Sequence, residues 1–142
     1  MAVRRLPVHP NLDQLKRQAK DLLRGVRNSD PDAVALFSEF GPRRIDRNNA
    51  RLSHAQFAIA RSYEVPSWTR LVLACRMTDA IWEDDAETVR ELVLKHPKLL
   101  VENAIVRKSN WGPPMSYAAN MGSTSVIAML HELGAKDFQS AF

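Results

Sequence analysis

The chain has 142 residues, of which 45% are hydrophobic and 25% charged, with a formal net charge of +4 and one cysteine, Cys75. This is ordinary globular composition at single-domain length, so it excludes low-complexity and fibrous chains. The lone cysteine excludes an internal disulfide and fits a reducing cytosol. No apolar run approaches the roughly eighteen residues that span a bilayer, and the basic start "MAVRRLPVHP" has no apolar stretch behind it to read as a secretory signal. A cytoplasmic protein without a membrane partner is therefore expected.

Helical spacing recurs along the chain, and period-two strand patterns are absent. The first helix is expected to begin after Asn11, a good N-cap preceded by Pro10. Leu12, Leu15, Ala19, Leu22, Leu23 and Val26 mark one apolar face at three- and four-residue steps. Lys16, Arg17, Lys20, Arg24 and Arg27 fill the others. Asp30 caps a second helix with Pro31 at its first position, and Gly41-Pro42 ends it. Residues 42–51, "PRRIDRNNAR", form a polar basic connector. A third helix runs from near Ser53 to about Tyr63. Ser67 caps a long fourth to about Glu83, and "DDAETVRELVLKH" supplies the fifth, ended by Pro97. The stretch 97–110 has no helical period and reads as a long connection. Helices near Pro114–Met121 and Thr124–Leu133 follow. The fold class is all-α, with helical hairpins joined by short turns.

Internal comparison suggests that the hairpins repeat. Set against each other, "DDAETVRELVLKHP" and "GSTSVIAMLHELGA" align Val89 with Ile127 and Leu92 with Leu130, a spacing of 38 residues. Pro114, Met115, Ser116, Tyr117, Ala118 and Ala119 then stand where the ankyrin repeat has Pro-Leu-His-Leu-Ala-Ala. Gly122, the apolar Val126, Ile127, Met129 and Leu130, and Gly134-Ala135 follow in its order. In this stretch the chain resembles the ankyrin family. Pro113 replaces the usual threonine and Ser116 the usual histidine, and the spacing exceeds the family's roughly 33 residues. Further upstream, "PNLDQLKRQAKDLLRG" and "LSHAQFAIARSYEVPSWTRL" resemble the N-terminal region of bacterial ankyrin-repeat proteins.

The resemblance implies an ankyrin-repeat-like solenoid of stacked antiparallel helical hairpins. Residues 1–77 would form an N-terminal helical capping region, residues 78–137 two ankyrin-like repeats, and residues 138–142 the start of a truncated further repeat or a tail. The chain would then be a piece of a longer repeat protein, or would self-associate through the open C-terminal repeat end. The implied function is non-enzymatic protein–protein interaction, with an unknown protein partner held on the concave surface. Carried over, that surface comprises Lys108, Ser109, Asn110 and Trp111 in the turn, and Tyr117, Asn120 and Met121 on the inner helix. Trp111 would serve either as an aromatic anchor or as packing under the loop, whereas Trp68 is expected to dock between hairpins and Trp82 to lie in the core.

Chemistry is expected nowhere. His9, His54, His96 and His131 are scattered, so no metal site is indicated, and no cofactor or phosphate-cradling motif occurs. Cys75 in "LVLACRM" reads as a core residue. The acidic group Glu83, Asp84, Asp85 and Glu87 reads as helix capping rather than a catalytic pair. The alternative function is a nucleic-acid-binding helical module using connector 43–51, with Arg43, Arg44, Arg47 and Arg51, together with the basic face of helix one. Interrupting acids and the lack of an aromatic platform weigh against it.

Overall fold

The computed structural model describes residues 4–105 and 112–135, and all regular structure in them is helical. The helices are α1 (Leu12–Arg27), α2 (Pro31–Phe40), α3 (Leu52–Ser62), α4 (Trp68–Trp82), α5 (Ala86–Lys95), α6 (Pro114–Met121) and α7 (Thr124–Glu132). Short 3₁₀ turns occupy Arg47–Asn49 and Pro97–Leu100. The chain divides into two units, Met1–Pro7 with Asn11–Val72, and Val8–Pro10 with Leu73–Phe142.

In the first unit α1, α2 and α3 pack pairwise against one another. The stripe that α1 buries is Leu15, Ala19, Leu22 and Val26, the inner part of the face its spacing predicts. Asn11 caps it by accepting from the Gln14 amide at 3.0 Å, and Asp30 caps α2 through the Ala33 amide at 3.1 Å. Gly25 lets the two helices meet: a Cβ there would lie 2.5 Å from the Cβ of Ala33. Arg4 holds the incoming chain on α3, donating from its guanidinium to Ser62 Oγ at 2.6 Å and lying 4.4 Å from the Tyr63 ring centroid.

In the second unit α6 packs on α7, and α7 on α5. Ala74, Met77 and Ile81 of α4, Val89, Leu92 and Val93 of α5, Met115 and Ala118 of α6, and Val126, Met129 and Leu130 of α7 are buried. The connection after α5 is more structured than its missing period suggests. It opens with the 3₁₀ turn at Pro97, and Leu99, Ala104 and Ile105 are buried.

One turn recurs. Ser29, Asp84 and Gly122 adopt left-handed backbone, at φ 58°, 52° and 71°, and each immediately precedes the residue that opens the next helix. In each, the amide after the left-handed residue donates five residues back: Asp30 to Gly25, Asp85 to Ala80, and Ser123 to Ala118. These are Schellman closures that satisfy carbonyls the ending helix leaves open. Between α4–α5 and α6–α7 the turns repeat at the spacing of 38 that the sequence comparison gives, Asp84 to Gly122. The buried side chains repeat at 37, because Val126, Met129 and Leu130 stand in the places of Val89, Leu92 and Val93. Helix α7 is thus rotated by one residue, about 100°, so Ile127 is only half-buried.

Candidate partner-binding surface

Of the seven residues proposed to touch a partner, Lys108, Ser109, Asn110 and Trp111 lie outside the described residues. The other three differ among themselves. Asn120 is exposed at the end of α6, its amide donating to the Ser116 carbonyl at 3.0 Å, and Met121 is half-buried. Tyr117 requires a correction, because it is fully buried. The whole first half of α6, Pro114 to Ala118, is enclosed, and this leaves Tyr117 no open face.

The Tyr117 hydroxyl links two distant stretches of the chain. It accepts from Trp82 Nε1 at 2.6 Å and donates to the Val8 carbonyl at 2.7 Å. Burial pushes its acidity down, raising its pKa above the ordinary phenol value even though the Trp82 bond pulls the other way; the nearby Asp79 charge adds to the rise. The hydroxyl therefore stays protonated and able to donate.

Trp82 also departs from expectation. It is 44% exposed rather than core. Its indole N–H is anchored on Tyr117, and one ring face carries His9, with centroids 4.6 Å apart and planes 9° from parallel. His9 Nε2 meets Asp79 Oδ1 at 2.5 Å, and Asp79 stands three residues before Trp82 on the same side of α4. Val8 is also exposed. The unit thus presents a ledge of Val8, His9, Asp79 and Trp82, fixed from beneath by Tyr117. Sequence reading missed it because His9 lies 70 residues from Asp79, and Val8 lies 109 residues from Tyr117. A weak signal was present in the spacing Asp79-x-x-Trp82.

The acidic group after α4 acts in capping, with one partner that spacing did not suggest. Asp85 caps its own helix through the Thr88 amide at 3.1 Å and hydroxyl at 2.6 Å. Asp84 reaches the N-terminus of α7 instead, accepting from the Ser125 and Val126 amides at 3.2 and 3.0 Å. Ser123, which opens α7, does not cap it: its hydroxyl donates to the Ile81 carbonyl at 2.6 Å. These bonds hold both carboxyls below the usual carboxylate range, Asp84 chiefly through the Val126 amide and Asp85 through the Thr88 hydroxyl.

Cys75 is buried and its thiol is pushed up to about 12, mainly by desolvation, with Asp79 one turn along adding to the effect. Among the described residues, no three His, Cys, Asp or Glu side chains converge on a metal-sized position.

The basic connector belongs to the first unit. Arg43, Arg44, Arg47 and Arg51 are all exposed. Arg47 donates to Ser29 Oγ at 3.0 Å, and the Arg51 amide donates to His54 Nδ1 at 3.0 Å, which makes His54 a helix-start residue. The lysines and arginines of α1 are exposed as well.

The described residues thus define an all-helical protein with no helix long and apolar enough to cross a membrane. Compared with known proteins, the chain matches no family model, no curated protein and no solved structure.

Proposed function

We propose that the chain is an ankyrin-type helical-repeat scaffold that binds a protein partner without catalysis. The observation that carries this reading is the exchange between hairpins, Asp84 to the start of α7 and Ser123 to the end of α4. Repeat proteins stack in this manner, because one hairpin cannot bury its apolar face alone. The Pro114–Ala135 pattern adds sequence support. A buried, reduced cysteine is compatible with the cytosol.

The surface offered to the partner includes Asn120 and Met121, and Trp82 with His9 replace Tyr117 as its aromatic contacts. Preorganised aromatic ledges suit protein recognition, since a fixed ring loses little freedom on binding. The test compares proteins retained by the wild-type chain with those retained by a Trp82→Ala, Asn120→Arg double variant of unchanged helical circular dichroism. A protein bound by wild type in purified form, and released by the double variant, supports the reading. Equal retention by both chains sinks this surface.

The nucleic-acid alternative draws on the exposed arginines of the connector. A steep fall in duplex binding between low and moderate salt would favour it.

A further inference from the structure

We propose that the hollow enclosed by α2 and the α2–α3 connector binds a small amphipathic anion, with a compact apolar body and a phosphate or carboxylate head. The site lies wholly in the first unit and is independent of the partner-binding surface. Its volume is about 300 Å³. At roughly 30 Å³ per water, that is room for about ten non-hydrogen atoms, at the small end of ligand sites.

The hollow arises because α2 stops at Gly41, whose backbone turns extended, and the chain then arches over the ends of α1 and α2. Its floor is apolar: Val26 of α1 and Phe37 of α2 are buried, and Ile45 of the connector is half-buried. Its rim carries Arg43, Arg44 and Arg47. Arg47 is tethered to Ser29, but Arg43 and Arg44 make no hydrogen bond or ion pair among the described residues. Asp46 is the only acid in the 41–51 connector, against four arginines. Arg44 also holds a left-handed backbone at φ 66°, a conformation rare outside glycine.

An uncompensated guanidinium pair beside an apolar floor selects a ligand that satisfies both. Guanidinium groups bind phosphate and carboxylate through paired N–H donors, and the low polarity of the floor strengthens that attraction. A bare anion would leave Phe37 and Ile45 uncovered, and a neutral apolar molecule would leave the arginines unmatched. A single-stranded nucleic acid needs a line of cations with stacking platforms, and a duplex backbone an extended row of cations, rather than a single concavity.

The test is a titration of the full isotope-labelled chain followed by amide shifts, with phenyl phosphate and benzoate as aryl anions, inorganic phosphate as head alone and benzyl alcohol as body alone. Saturable shifts centred on Arg44 and Ile45 are expected. At least one aryl anion should bind about tenfold or more tightly than either half-probe. Arg43→Glu with Arg44→Glu, both exposed, should weaken it by at least about tenfold, and Ile45→Asp should abolish the advantage over inorganic phosphate. The proposal is overturned if no probe saturates, or if inorganic phosphate binds as well as the aryl anions. It is equally overturned if a short DNA duplex gives the same shifts more tightly and ignores Ile45→Asp, which would mark a nucleic-acid face.

Discussion

Asp84 caps a helix that begins forty residues after it: its carboxylate accepts from the Val126 amide at 3.0 Å, while only its backbone carbonyl meets α5, accepting from the Ala86 amide at 3.2 Å. The left-handed turn at Asp84 makes this possible, leaving Asp85 to cap α5 while Asp84 caps α7.

This arrangement has a pH signature. Both carboxyls are lowered in the folded chain, so they contribute stability that is fully present above the ordinary value of 3.8 and is lost as the pH falls through their depressed folded values. Asp84→Asn should lower the urea midpoint at neutral pH. That difference from wild type should shrink as the solution is acidified below 3.8, because protonation then costs the wild type the same interaction. A difference that stays constant down the acid limb would show that Asp84 contributes through shape alone.

Gly25→Ala should be destabilising although alanine is the better helix former. The added methyl would meet Ala33 Cβ at 2.5 Å, inside any permitted contact. Overpacking of this kind costs about 1–3 kcal/mol. Adding Ala33→Gly to the variant should recover part of the loss in denaturant unfolding. If the two changes simply sum, the helices do not meet at this point.

Tyr117→Phe removes the hydroxyl that serves both Val8 and Trp82. The loss should be about 1–3 kcal/mol, the usual cost of stranding a buried polar partner. Proteolysis should then cut sooner near Val8, and Trp82 fluorescence should change. Wild-type behaviour in both assays would mean that Tyr117 serves only as filler.

At neutral pH Cys75 should resist aromatic disulfide reagents, since a thiol pushed up to about 12 presents almost no thiolate. Labelling should follow the loss of helix across a urea series. Rapid stoichiometric labelling of the native chain would place Cys75 at the surface.

Much of the helical order was legible in local chemistry. Asn11, Asp30 and Ser67 act as caps where spacing placed them, and Pro114 and Gly122 bound α6. Such signals work because a cap and its target amide lie within a single turn. The surface was far less legible. Tyr117 is buried and its hydroxyl is held by Val8, 109 residues upstream, and no periodicity reports so distant a neighbour. Trp82 looks like core by residue type, yet it follows the buried Ile81 and turns outward onto His9. The left-handed turns at Ser29, Glu64 and Asp84 carry no glycine to announce them. Nor does any pattern reveal that Asp84 serves a later hairpin.

Tandem support between hairpins is tested most directly by hydrogen exchange in a Leu130→Asp variant, which places a charge at a fully buried position of α7. If neighbouring hairpins lean on one another, unfolding α6–α7 should strip protection from the amides of α5, while those of α1 in the other unit stay protected. Amides of α5 that keep their wild-type protection would contradict mutual support, and with it the repeat scaffold.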